Sequence, residues 1–231
     1  MNLRWKRVVV KLSGELLAGP EGPLDRGGLR LYAREIASAR GAGAQVAIVI
    51  GGGNVARGSA LSSVPPLAGH TIGMLGTLIN GIALREALRE EGIPALLLSA
   101  LPLPGVAETV DPWRARSALE AGEVVLFAAG TGNPFVTTDT AAVIRALAVG
   151  AEAVLKGSKV DGVYANDPAL DPTARPLREL SHRDYLARGL KALDAAAVAI
   201  AGEHGLPIVV FRAAQGALLS ALRGEIGSVI A

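Results

Sequence analysis

Short apolar runs alternate along the chain with longer segments whose apolar positions recur with helical spacing. Six runs rich in Val, Ile, Leu and Ala end close to turn signals and are predicted to be strands: residues 8–12, 46–50, 95–98, 124–128, 153–155 and 208–211. Helical spacing is clear at residues 29–37 and 74–83. Strands alternating with helices predict a parallel sheet, and strands that are apolar throughout predict helices on both faces. We therefore expect an α/β fold, a three-layer α/β/α sandwich around a largely parallel sheet.

Length and composition fit one folded domain that covers residues 1–231, or two closely fused halves. Half of the residues are hydrophobic and 19% are charged, which excludes a disordered chain or a coiled coil. Lys and Arg number 23 and Asp and Glu 21, a surplus too small for a general nucleic-acid surface, so no nucleic-acid partner is expected. No long linker divides the chain. The best candidate for a domain boundary lies near residues 148–152.

Cysteine is absent, so thiol chemistry and cysteine-ligated metals are excluded, and three scattered histidines predict no protein-held metal site. The apolar run at residues 8–10 is too short for a secretory signal. The apolar stretches around 46–50 and 192–201 fall well below membrane-spanning length. We expect a cytoplasmic protein without a membrane partner.

Three of the predicted strands end in glycine-rich segments that also carry basic or hydroxyl side chains. These segments are Lys11-Leu12-Ser13-Gly14, Gly51-Gly52-Gly53-Asn54 with Arg57, and Gly130-Thr131-Gly132-Asn133-Pro134 leading to Thr137, Thr138 and Asp139. Glycine lets backbone N–H groups approach an anion, and ligands of parallel sheets bind beyond the carboxyl ends of strands. Together the segments favour phosphate binding, although each alone could serve a tight turn, and Thr138-Asp139 also resembles a helix start.

Two further features bear on this site. Lys11 lies inside an apolar strand, where a lysine is costly unless something anionic meets it. The segment LKGSKVDGVY at 155–164, followed by Asn166 and Asp167, could form a nucleoside pocket, with Tyr164 as a ring face and Ser158 and Lys159 as donors. Its Asp-Gly and Asp-Pro pairs equally predict turns, and the residues alone do not separate the two interpretations.

These blocks, in this order, resemble the uridylate (UMP) kinases of the amino acid kinase family over nearly the whole chain. The most specific stretches are KLSGE at 11–15, IGGGN at 50–54, IGMLGTLIN at 72–80, GTGNPFVTTDTAA at 130–142 and LKGSKVDGVY at 155–164.

The resemblance implies that MgATP phosphorylates UMP to UDP in pyrimidine nucleotide synthesis, with ATP and UMP as ligands and Mg²⁺ as the cofactor. The positions that it assigns to the ATP phosphates are Lys11, Leu12, Ser13, Gly14, Gly53 and Arg57. Those assigned to adenosine are Ser158, Tyr164 and Asp167. Those assigned to UMP are Gly52, His70, Thr131, Gly132, Asn133, Pro134, Phe135, Val136, Thr137 and Thr138. The part at about 1–150 would hold the acceptor and phosphate side, and the part at about 151–231 the ATP side.

Four residues are expected to be catalytic: Lys11, Arg57, Asp139 and Asp194. Lys11 and Arg57 would stabilise charge on the transferring group, and the resemblance places Asp139 near the phosphates. We expect Asp194 to orient Lys11. Without the resemblance, Asp194 reads as a carboxylate at the N-terminus of the Ala-rich helix that follows it.

The chain departs from the family at His70, which stands where members usually carry an aspartate that contacts the UMP ribose. His70 could instead be a surface histidine in a Pro-rich turn after Pro65 and Pro66. The Gly- and Pro-rich insert at 19–23 lies where the family has a segment linked to activation by GTP, and many members are inhibited by UTP. Members are homohexamers, and the apolar helix at 72–88 is either a subunit contact or an amphipathic core helix.

Three other classes of protein are alternatives to a UMP kinase. An amino acid or carbamate kinase of the same fold would make an acyl phosphate, but the 130–138 stretch matches the nucleotide acceptor. A non-catalytic nucleotide-binding module would be favoured by loss of Lys11, Arg57 or Asp194, and all three are present. A Rossmann dehydrogenase lacks support because KLSGE, not G-x-G-x-x-G, follows the first strand.

Overall fold

The computed structural model describes residues 2–56, 61–171 and 173–231. One sheet of nine strands runs through this part of the chain in the order β4-β3-β5-β2-β1-β6-β10-β11-β9. All neighbouring pairs are parallel except β10 and β11. The strands are β1 (Arg7–Leu12), β2 (Gln45–Ile50), β3 (Ala95–Ser99), β4 (Glu108–Thr109), β5 (Val124–Ala128), β6 (Ala153–Ser158), β9 (Glu179–Leu180), β10 (Ile208–Arg212) and β11 (Ser228–Ile230). A separate antiparallel ribbon consists of β7 (Val163–Tyr164) and β8 (Pro176–Leu177).

Helices cover both faces of the large sheet. They are α1 (Arg26–Gly41), α2 (Pro66–Glu90), α3 (Pro112–Glu120), α4 (Thr138–Val149), α5 (His182–Ala187), α6 (Ala195–Glu203) and α7 (Ala217–Leu222). One apolar cluster joins the sheet to α1, α2 and α7, and a second joins its other face to α3, α4, α5 and α6. In β1, Val8 and Val10 belong to the first cluster and Val9 to the second, because successive side chains of a strand point to opposite faces. The three-layer sandwich around a largely parallel sheet is confirmed.

All six predicted strands are present, and the main difference is the length of β6. The prediction ended that strand at residue 155, whereas the strand continues to Ser158. The three additional residues of β6 include Lys156, which lies directly beside Lys11 in the parallel register of β1 and β6. Two lysines therefore stand next to each other near the carboxyl ends of central strands.

Helix α2 begins earlier than its apolar pattern suggested. Pro66 occupies its first turn, where the absent N–H is not needed, so His70 lies in the helix and the alternative of a Pro-rich turn around it is wrong. With 25 residues and a hydropathy of 1.4 over its most apolar window, α2 is long and apolar enough to cross a membrane by length and composition, and 39% of that window is buried inside the protein. The core helices of soluble proteins reach the same length and hydropathy, so these two values are weak evidence for a membrane span. The buried side chains of Thr77 and Asn80 in α2 contact other loops of the protein.

Candidate functional site

The glycine-rich segments predicted to bind phosphate follow neighbouring strands of the sheet. Strands β5, β2, β1 and β6 are adjacent and parallel, so their carboxyl ends open on the same edge. The loops after β1, β2 and β5 and the start of α4 meet there. The fold thus brings together side chains that lie more than a hundred residues apart in the sequence.

Two lysines share one carboxylate at this edge. The Nζ atom of Lys11 lies 3.0 Å from Oδ1 of Asp139, and the Nζ atom of Lys156 lies 2.6 Å from Oδ2. The three side chains are only 10 to 13% exposed. Lys156 also donates to the carbonyl of Ala192 at 2.5 Å. We call Lys11, Asp139 and Lys156 the two-lysine centre; it carries one net positive charge when all three are ionised.

Burial and the ion pairs act in opposite directions on these groups. Burial alone would raise the pKa of Asp139, but Lys11 and Lys156 outweigh it and hold that pKa below its ordinary value. Burial lowers the pKa of Lys156, and Asp139 opposes that change. Lys11 therefore has an anionic partner within the protein, which accounts for a lysine in an apolar strand.

Asp194 has different partners from those expected. Its carboxylate caps α6 by accepting from the N–H of Ala197 at 2.8 Å, and it accepts from the hydroxyls of Thr140 at 2.8 Å and of Thr137. Among the described residues Asp139, not Asp194, forms an ion pair with Lys11, so Asp139 is the carboxylate in contact with this lysine. The helix-capping interpretation of Asp194 holds, and its bonds tie the start of α6 to the start of α4.

The residues just before Asp194 are held equally firmly. The hydroxyl of Tyr185 donates to the carbonyl of Leu193 at 3.1 Å and accepts from its N–H at 2.6 Å. Burial raises the pKa of Tyr185, which keeps this hydroxyl protonated. Together with the bond from Lys156 to Ala192, these contacts fix the 190–194 segment against the two-lysine centre.

A cavity of about 270 Å³ lies beside the two-lysine centre, between α2 and the loop after β5. Its walls are Gly52, Gly53, Ala56, His70, Gly73, Met74, Thr77, Gly130, Thr131, Asn133, Phe135, Val136, Thr137 and Thr138. We call it the acceptor cavity. Of the residues predicted to hold UMP, all line it except Gly132 and Pro134, which belong to the same loop. Gly53, which was assigned to the ATP phosphates, lines it as well.

The loop on one side of the acceptor cavity has an unusual backbone. Ala129, Gly130, Gly132 and Phe135 all have positive φ, at 60°, 56°, 82° and 65°. Phe135 is 65% exposed, and its ring centroid lies 4.5 Å from that of His70 with a 60° tilt. His70 is thus a wall of the cavity in contact with Phe135.

A second cavity, of about 330 Å³, is lined by residues from 160–168 and 188–192. Tyr164 and Asp167, both predicted to contact adenosine, line it, and so do Arg188 and Lys191, which the sequence analysis did not assign. Ser158 is not among its walls; its hydroxyl accepts from the N–H of Val160 at 3.4 Å. We call this the nucleoside cavity.

Two of the strand-end glycines are required by close packing. A Cβ on Gly14 would lie 2.2 Å from Oδ1 of Asn54 and 2.5 Å from the carbonyl of Gly51, and one on Gly52 would lie 2.6 Å from the carbonyl of Gly73. The fully buried amide of Asn80 donates to Gly51 at 2.6 Å and pairs with Asn54. These two glycines therefore have a structural role, as the tight-turn alternative implied. They let the loops after β1 and β2 approach each other and α2 closely.

Some predicted residues stand apart from these contacts or outside the described part of the chain. Leu12 is a core residue of β1, and Ser13 precedes a short 3₁₀ turn, Gly14–Leu17. Arg57 lies outside the described residues. Sequence reasoning missed Lys156 and Asn80; a lysine that follows three apolar strand residues, as Lys11 follows residues 8–10, was the available signal for Lys156.

Comparison with known proteins places the chain in a family. The model of the amino acid kinase family matches residues 6–212. The chain belongs to this family. Its sequence is 47% identical over 229 residues to a uridylate kinase of Rhodopseudomonas palustris, covering 98% of this chain and 93% of that one. It is 44% identical over 237 residues to a uridylate kinase of Legionella pneumophila, covering 99% and 95%.

Solved structures of the amino acid kinase family agree with the sequence relatives. The fold matches a UMP kinase from Bacillus anthracis with a TM-score of 0.93 and 34% identity, covering 98% of this chain and 96% of that one. A UMP kinase from Ureaplasma parvum matches with a TM-score of 0.92 and 30% identity, covering 99% and 100%. The resemblance seen in the motifs is confirmed over nearly the whole chain.

Proposed function

We propose that the protein is a UMP kinase that transfers the γ-phosphoryl group of ATP to UMP, giving UDP and ADP in pyrimidine nucleotide synthesis. The observation that carries this proposal is the two-lysine centre and its links to two cavities: Asp139 follows Thr138 of the acceptor cavity, and Lys156 donates to Ala192 of the nucleoside cavity. The relatives of the chain are named uridylate kinases. The acceptor cavity takes UMP, and the nucleoside cavity takes the adenosine of ATP. The parts at about 1–150 and 151–231 accordingly supply the acceptor and ATP sides.

The reaction needs charge neutralisation and positioning more than covalent help from the protein. The UMP phosphate is an anionic nucleophile at neutral pH, so no general base is required. Lys11 meets the phosphoryl group in transfer, and Asp139 offsets the repulsion between Lys11 and Lys156 and holds both ammonium groups in place. Arg57 is a further catalytic candidate for the same charge.

The Mg²⁺ ion arrives with ATP as part of the substrate. The described residues contain no cluster of three or more His, Asp or Glu side chains that could hold a metal. The carboxylate of Asp139 is already taken by two lysines, and that of Asp194 by two threonines. This donor set fits an ion that is held mainly by phosphate oxygens and water, as Mg²⁺ commonly is.

Recognition of UMP depends on the loop after β5 and on α2. Thr131, Asn133, Thr137 and Thr138 supply hydrogen-bonding groups to the cavity, while Phe135 and His70 supply ring faces. His70 takes the place of a carboxylate and can either donate or accept a hydrogen bond to the ribose.

Assembly, regulation and location extend the proposal. Leu67, Leu75 and Ile79 of α2 are 40 to 58% exposed and apolar, which suits a subunit contact in a homohexamer. GTP as an activator and UTP as an inhibitor are expected effectors, and the cytoplasm is the expected location. Size-exclusion chromatography with light scattering tests the hexamer, and initial rates with added GTP or UTP test the regulation.

An acceptor panel tests the activity. ADP release from MgATP is measured with UMP, CMP, dTMP, glutamate, N-acetylglutamate or carbamate as the acceptor. We expect rapid release with UMP and little with the others. Preferred turnover of an amino acid or carbamate would overturn the proposal in favour of an acyl-phosphate-forming kinase, and no turnover with any acceptor would favour a binding module.

A further inference from the structure

Arg145 lies behind the acceptor cavity, on the second turn of α4. Its Nη2 atom donates to the carbonyl of Gly130 at 3.0 Å, and its guanidinium carbon lies 5.6 Å from the centroid of the Phe127 ring. Its Nε atom is buried and has no hydrogen-bond partner in the described part of the chain. The described residues also supply no carboxylate within ion-pair distance of this side chain.

A cation in this position is expensive. Burial lowers the pKa of Arg145, which expresses the cost of keeping its charge away from water. Several other arginines meet carboxylates, as Arg7 does with Glu120 and Arg212 with Asp161. The face of Phe127 offsets part of the cost for Arg145. Packing alone would be served as well by an apolar side chain, so the charge and the bond to Gly130 require another explanation.

The bond acts on the most constrained part of the acceptor loop. Ala129 and Gly130 are consecutive left-handed residues, a conformation that costs an alanine free energy. The N–H of Ala129 donates to the hydroxyl of Thr77 in α2 at 2.6 Å, and the carbonyl of Gly130 accepts from Arg145 in α4. The turn is therefore held from both sides at the point where the loop enters the cavity wall.

We infer that Arg145 is a positioning residue for the acceptor: it fixes the Gly130 carbonyl and thereby the loop from Thr131 to Thr138. Its bond to that carbonyl also polarises the peptide group between Gly130 and Thr131, which makes its N–H a stronger donor toward an anionic ligand. The inference rests on the proposed function, because it treats this cavity as the UMP site. It assigns Arg145 no contact with the reacting atoms.

The test compares Arg145→Met, which removes the charge and the bond, with Arg145→Lys, which keeps the charge. A matched control is Arg40→Met, because Arg40 donates to the carbonyl of Gly122 at 2.7 Å at the opposite edge of the sheet. Initial rates give the KM for UMP and for ATP, and calorimetric titration with UMP gives its dissociation constant without ATP. Thermal unfolding of every variant is measured alongside.

We expect Arg145→Met to raise the KM and the dissociation constant for UMP about tenfold, since the lost bond has a charged donor. The KM for ATP should change less than about twofold, Arg145→Lys should lie between Arg145→Met and the unmodified protein, and Arg40→Met should match the unmodified protein. Unchanged UMP binding in Arg145→Met would overturn the inference. Equal losses for UMP and ATP, or the same loss in Arg40→Met, would overturn it as well. Failure of the unmodified protein to use UMP would instead refute the proposed function.

Discussion

The two-lysine centre and the acceptor cavity lie side by side but are built in different ways. The centre consists of three charges on a pair of neighbouring strands and the first turn of α4, joined at 2.6 and 3.0 Å. The acceptor cavity has no lysine, arginine or carboxylate among its described walls, and a loop with four left-handed residues forms one side. Charge is thus held on regular elements, while shape and hydrogen bonding are held on a constrained loop. We expect the centre to control the rate and the cavity to control acceptor affinity.

The largest effect is expected at Lys11. Lys11→Ala should lower kcat about 1000-fold, because a positioned cation that stabilises transferring charge is lost. Coupled ADP-release assays measure it, and circular dichroism shows whether the fold remains. Lys6→Ala, at the residue directly before the same strand, is the matched control and should keep its turnover. A kcat near normal in Lys11→Ala would contradict the assignment of the rate to the two-lysine centre.

The next effect concerns stability. Asp139→Asn removes the carboxylate that both buried lysines contact and should cost about 3–5 kcal/mol of unfolding free energy in urea titrations. The control is Asp161→Asn, which removes an exposed pair with Arg212 and should cost less than about 1 kcal/mol. Equal losses of unfolding free energy in the two variants would show that the buried ion pairs of the centre stabilise the fold no more than an exposed pair does.

The same pair of proteins gives a pH dependence. The pKa of Asp139 is held below its ordinary value of 3.8, so its stabilisation is present above that value and is lost as the pH falls through the lower folded-state pKa. The stability difference between the unmodified protein and Asp139→Asn should therefore shrink below about pH 4. A difference that grows on acidification would contradict the ion-pair assignment.

A smaller effect is expected in the acceptor cavity. His70→Asp should keep or lower the KM for UMP, because a carboxylate can accept from both ribose hydroxyls where a histidine ring cannot. The value of kcat should change little, since His70 lines the cavity and not the two-lysine centre. Initial-rate measurements with varied UMP test this, and a large rise in KM would show that His70 is itself the preferred ribose contact.

The smallest effect is expected at the constrained loop. Ala129→Gly removes the strain of a left-handed alanine but adds conformational entropy to the unfolded chain. We expect the free energy of unfolding to rise by about 0.5 kcal/mol. Its neighbour Ala128, in β5, is the control: Ala128→Gly should be destabilising. Urea unfolding compares them, and a loss at both positions would show that the strain at Ala129 is negligible.

Much of the fold was predictable, because strand periodicity and turn residues are local signals. The six predicted strands, the parallel pairing and the two helical layers follow from them. The start of α2 did not, since Pro65 and Pro66 are equally suited to a turn and to the first turn of a helix. The order of strands in the sheet also has no local signal.

The site was predictable in its members and less so in its pairings. The motifs identified Lys11, Asp139, Asp194 and the loop after β5. Which carboxylate meets Lys11 depends on how α4 sits over β1, and the distance along the chain does not reveal it. Lys156 was missed because the prediction ended its strand at residue 155, three residues early, and Arg145 resembles any helix arginine until its partner at Gly130 is known.

The central claim is that rate and acceptor affinity reside in these two separate regions. The most direct test is the dissociation constant of UMP for Lys11→Ala, measured by calorimetric titration on the same preparation that has lost turnover. We predict a value within about threefold of the unmodified protein, because Lys11 is not a wall of the acceptor cavity. Loss of UMP binding together with turnover would contradict the claim.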